Sequence, residues 1–113
     1  MTTPEDRNRL ISMRLQQAET AIQRVESALK DDQPEIAANR IYYGIFYAML
    51  ALALLQRFES SKHQQMIGWF NKNFVHTGIF PHSYASLIKK AYKARSDADY
   101  EVEQGVSFVG INA

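Results

Sequence analysis

The chain of 113 residues has no cysteine, which excludes a disulfide framework, a thiolate zinc site and a cysteine nucleophile together. Five glycines and three prolines are few, and favour long uninterrupted helices over a turn-rich β architecture. Charge of one sign is also lacking. Thirteen Lys and Arg against twelve Asp and Glu leave a formal +1, so no bulk field commits the protein to nucleic acid, although a local basic patch is compatible with that balance. The start, Met1-Thr-Thr-Pro-Glu-Asp6, shows no cationic-then-apolar signal pattern, so the expected address is cytoplasmic. There is no glycine-rich phosphate loop, GxSxG elbow or His-Glu-x-x-His. His63, His76 and His82 are too widely spaced for a one-helix metal site. They read as solvated or capping residues, and neither metal nor cofactor is expected.

What the sequence does hold is a core. At 46% hydrophobic and 22% charged, residues 1–113 suffice for a single folded domain and exclude disorder. Ile41 to Leu55 (IYYGIFYAMLALALL) is free of charge and flanked by Arg40 and Arg57. It is shorter than the roughly 18–20 residues that span a hydrocarbon core, and its Tyr42, Tyr43 and Tyr47 need hydroxyl partners. A helix apolar all round is usually a bundle centre, so a buried helix is expected and no membrane.

Thr3 caps a first helix with Pro4 at its first position. Ile11, Leu15, Ala18, Ile22, Val25 and Leu29 then form a narrow stripe. Pro34 starts a second helix that runs to about Phe58, in which Gly44 suggests close approach of a neighbouring backbone. Ser60 or Ser61 caps a third, with Ile67, Phe70, Phe74 and Val75 inward and Thr77-Gly78 at its end. Pro81 and Ser83 open a fourth, with Tyr84, Leu87, Ile88, Ala91 and Tyr92 as its apolar side. Helical periodicity fades after Tyr100, leaving an irregular tail at 104–113. The fold class is all-α, with about four helices.

Two polar clusters interrupt this pattern. In the fourth helix Lys89, Lys90, Lys93 and Arg95 precede Asp97, Asp99, Glu101 and Glu103, the reverse of what the helix dipole favours. Either the helix bends or ends near Arg95, or the charges serve something else. Arg95 and Asp99 can pair at four-residue spacing, with Tyr100 adjoining. In the second helix Arg40, Tyr43 and Tyr47 share one side. Arg40 is either a structural tie to Asp97, Asp99 or Glu101, or one wall of a groove in which it, the tyrosine hydroxyls and Arg95 meet a phosphate or nucleotide.

Ala38-Asn-Arg-Ile-Tyr-Tyr-Gly-Ile-Phe-Tyr-Ala48, Ser61-Lys-His63, Phe70 through Phe74-Val-His-Thr-Gly78 and Arg95-Ser-Asp-Ala-Asp-Tyr100, taken in order, resemble the HEPN domain family (higher eukaryotes and prokaryotes nucleotide-binding), in its small single-domain prokaryotic branch. The resemblance implies an up-and-down helical bundle, usually a homodimer, and often a minimal nucleotidyltransferase partner within a toxin–antitoxin pair. Ribonuclease members carry an arginine followed four to six residues later by a histidine. Here Arg95 matches the arginine, but Tyr100, Glu101 and Val102 fill the histidine window. Relatives also continue into a further amphipathic helix, so this bundle is expected to be short of one wall.

The expected function is therefore a non-hydrolytic module that binds a nucleotide, RNA or the partner enzyme. Arg95 is its anion contact and Asp99 positions that arginine, with Arg40, Tyr43, Tyr47 and Tyr100 around it. The alternative is a metal-independent RNase toxin in which Arg95 works with Tyr100 or His63. Tyr100 is also nearest to the tyrosine that partner enzymes of such pairs can modify with AMP.

Overall fold

The structure is a computed structural model that describes residues 3–103, with side chains as far as Asp99. Among the described residues there are four α-helices and no strand: α1 (Pro4–Lys30), α2 (Pro34–Leu55), α3 (His63–Phe70) and α4 (Ser83–Glu103). The expected tail at 104–113 lies outside the described residues.

The Thr3 side chain accepts a hydrogen bond from the Asp6 backbone N–H at 3.0 Å, and Pro4, Glu5 and Asp6 fill the first turn of α1. Both α1 and α2 end with a residue in the left-handed region, Asp32 (φ 56°) and Arg57 (φ 57°). The next backbone N–H then returns five residues, Gln33 to the Ala28 carbonyl at 2.8 Å and Phe58 to the Ala53 carbonyl at 2.9 Å. This is the Schellman closure, usually built on glycine. It stops α2 at Leu55, three residues before the expected end.

Ser60 acts at the start of α3 without being its cap. Its hydroxyl accepts from the Lys62 N–H at 3.1 Å and donates to Gln65 Oε1 at 2.8 Å, while the cap position is Lys62. Beyond Phe70 the helix widens into one π turn, Asn71–Val75, closed by the His76 N–H on the Asn71 carbonyl at 2.8 Å. The extra residue lets Phe70, Phe74 and Val75 all turn inward: Val75 is buried and the two phenylalanine rings stack at 5.6 Å. Gly78, at φ 82°, then reverses the chain toward α4.

α2 is the centre, with α1, α3 and α4 packed on it. Tyr42, Phe46, Met49 and Ala53 from α2 meet Met66, Phe70, Val75 and Ile88 in one buried cluster. By length and composition alone α2 could cross a membrane; here it is the helix the others pack on. The α1 stripe is only partly inward. The buried positions of α1 are Ala21 and Ala28, neither of them in that stripe, of which Ile11, Ala18 and Val25 are half-buried and Leu15, Ile22 and Leu29 exposed. α4 does not end at Arg95 but continues to Glu103.

Candidate functional site

Arg95 sits on α4 where that helix crosses α2. Its guanidinium lies 5.6 Å from the Tyr42 ring centroid and 5.5 Å from that of Tyr43, within reach of both π faces. Its Nη2 donates to the Tyr43 hydroxyl at 3.1 Å. Its buried Nε lies 3.1 Å from Asp99 Oδ2, a charge contact at an angle that does not make a hydrogen bond. The Arg95 side chain is 24% exposed, and its Nη1 takes no hydrogen-bond partner among the described residues. Asp99 fixes one edge of the guanidinium and Tyr43 another, and the third edge takes no partner among the described residues.

Arg40 contacts the same Tyr43 ring, at 5.5 Å, and Tyr43 is 5.8 Å from Tyr47. Two arginines on two helices therefore share one tyrosine. The tie from Arg40 to Asp97 or Asp99 does not form. Arg40 instead donates twice to Asn39 Oδ1, at 3.0 and 2.6 Å. Asp97 is held by Lys93 at 2.7 Å and Asp99 by Arg95. The side chains of Tyr100 and Glu101 lie outside the described residues. Arg40 and Tyr47 also line a polar cleft of about 320 Å³ against α1, with Arg24, Gln16, Gln17 and Thr20.

His63 departs from its expected solvated or capping role. It opens α3, is half-buried, stacks on Phe46 at 4.0 Å and lies 2.8 Å through Nδ1 from the Tyr42 hydroxyl. Burial, and next the Arg95 charge, hold its pKa below the usual histidine range. Burial pushes the Tyr42 phenol up to about 12, against a smaller opposing pull from Arg95. Tyr42 is fully buried. It was legible in the sequence only as a hydroxyl needing a partner. His76 and His82 are exposed, and no group of three or more His, Asp or Glu among the described residues is placed to hold a metal.

The polar groups gathered here, all half-buried, are the Arg95 guanidinium, whose Nη1 takes no partner among the described residues, the Tyr43 hydroxyl, whose oxygen already accepts from Arg95, and the His63 imidazole. An arrangement of donors around a guanidinium suits an anionic oxygen.

A four-helix bundle with this arginine–tyrosine crossing defines a class, and the comparisons give it a family. The HEPN domain model matches residues 11–106, and the chain belongs to that family. It is 28% identical to a UPF0332 protein of Thermotoga maritima, over 84% of this chain and 72% of the relative. It is 30% identical to "Putative toxin MJ0142" of Methanocaldococcus jannaschii, over 77% of this chain and 59% of that protein. A second toxin-named protein of that archaeon, MJ0605, is 35% identical over 60% of this chain and 51% of its own length. The chain thus spans little more than half of these two archaeal relatives. No solved structure matches it.

Proposed function

We propose that the protein is a HEPN module that binds a phosphate-bearing ligand, a nucleotide or RNA, at Arg95 without cleaving it. We place it in a toxin–antitoxin-type pair whose other member is a minimal nucleotidyltransferase. The observation that carries the binding reading is the donor cluster: an arginine oriented by Asp99 and Tyr43, its Nη1 without a partner among the described residues, beside a second arginine on the same ring. The pairing rests on the toxin-named relatives and on the family resemblance. Absence of a histidine in the window after Arg95 supports binding over cleavage, since RNA cleavage at neutral pH needs a group that titrates there.

A second reading is favoured by one specific contact. His63 lies 2.8 Å from the hydroxyl of Tyr42, over whose ring the Arg95 guanidinium sits, so a metal-independent RNase could recruit it from α3 rather than from α4. Incubating purified protein with tRNA and mRNA separates the two. The expected result is retention of RNA, weakened at least about tenfold by Arg95→Ala through loss of a charge-assisted bond, with no cleavage. Cleavage that Arg95→Ala abolishes would establish the RNase instead.

A further inference from the structure

The proton between Tyr42 and His63 can be placed. The phenol oxygen and Nδ1 are 2.8 Å apart, Tyr42 is fully buried, and its hydroxyl reaches no other side chain among the described residues. If Nδ1–H donated to the phenol oxygen, the phenolic proton would be buried without an acceptor, a costly arrangement. If Tyr42 donates, both groups are satisfied. A neutral imidazole that accepts at Nδ1 carries its proton on Nε2.

The surroundings hold this arrangement in place. Phe46 covers one ring face. The titratable neighbours are Tyr43 from α2 and Arg95 and Tyr92 from α4. The guanidinium opposes an imidazolium, and burial keeps the phenol protonated. A ring fixed this way has its only lone pair engaged and its only proton on a weakly acidic nitrogen. It is poorly suited to be a general base or acid, but it can donate one hydrogen bond.

We infer that His63 is a fixed Nε2–H donor of the Arg95 anion site, positioned by Tyr42, and contacts a phosphate oxygen without acid–base chemistry. This rests on the phosphate-binding reading above. It also argues against His63 as the substitute histidine of an RNase.

Long-range proton–nitrogen NMR of the imidazole at pH 7 tests the tautomer without any ligand. The expected pattern is a bare Nδ1 and a protonated Nε2, with Tyr42→Phe raising the His63 titration midpoint. A protonated Nδ1 overturns the inference. Titration with AMP and with inorganic phosphate tests the donor role. His63→Gln, whose amide nitrogen reaches the Nε2 position, keeps affinity within about threefold, while His63→Asn and His63→Ala lose about tenfold, as expected for a hydrogen bond to a charged group. Should AMP bind, depend on Arg95 and ignore all three His63 variants, the donor role alone falls. Should neither AMP nor phosphate perturb the wild type, the site and the donor role both fall.

Discussion

At the scale of single residues, Tyr42 and His63 tie protonation to stability in opposite directions. The Tyr42 pKa is raised from 10.0 to about 12 in the folded protein, so the unfolded chain releases that proton first. Stability from this group is complete below pH 10 and declines as pH climbs toward about 12. The folded His63 pKa is lowered instead. The unfolded chain takes up a proton near pH 6.5, and stability from His63 falls with pH from there until the folded ring also protonates. Tyr42→Phe should cost about 1–2 kcal/mol at pH 7, by removing the hydroxyl and stranding Nδ1. That cost should shrink between pH 10 and 12, as followed by denaturant unfolding across the range. An undiminished difference would mean that Tyr42 ionises normally. Local spacing made part of this site legible: Arg40, Tyr43 and Tyr47 lie at steps of three and four, and Arg95 and Asp99 four apart. The Tyr42–His63 contact was not legible as a pair, because it joins residues 21 apart across the turn between α2 and α3, and helical periodicity carries no information across a loop.

At the scale of elements, the helices themselves were readable because caps, prolines and apolar spacing agree. Their ends were less so, since Asp32 and Arg57 close helices in a conformation that sequence rules assign to glycine. The π turn at Asn71–Val75 was not anticipated, because one inserted residue leaves the local apolar pattern almost unchanged. Four of the eight reversed charges of α4 form two four-residue pairs, Lys93–Asp97 and Arg95–Asp99. The close neighbour of Gly44 is a side chain rather than the backbone its sequence context suggests. A Cβ there would meet Ile22 Cδ1 at 2.6 Å, whereas the Ala18 carbonyl stands at an ordinary 3.6 Å. Ile22 is half-exposed and has room to swing. Gly44→Ala should therefore change stability by less than about 1 kcal/mol, the clash offsetting the gain in helix propensity. In an Ile22→Ala background the same change should stabilise by about 1 kcal/mol. A denaturation double-mutant cycle reads the coupling, and additive effects would show that Ile22 does not oppose a side chain at position 44.

At the scale of the whole molecule, the described residues leave one face uncovered. A groove of about 500 Å³ between α1, α2 and α4 is lined by Ile11, Leu15, Leu52, Leu55, Tyr84 and Leu87 among others. Leu15, Leu55 and Leu87 are 51%, 61% and 54% exposed, although Leu87 was expected to face the core. The groove lining is almost wholly apolar, whereas the Arg95 cluster is polar and charged, so the two surfaces call for different partners. An apolar surface of this kind usually marks an interface. A second copy of the chain is the occupant we propose, through a two-fold contact in which Leu87 of each protomer enters the other's groove. Such an interface is stable if it buries on the order of 1,600 Å². Light scattering at micromolar concentration should give twice the monomer mass, and Leu87→Lys, by placing a charge in the contact, should give the monomer with its helical content unchanged. AMP binding at Arg95, as proposed above, should survive that substitution, because Arg95, Asp99, Tyr43, Tyr42 and His63 meet within one chain. A wild-type monomer would mean that something other than a second copy covers the groove.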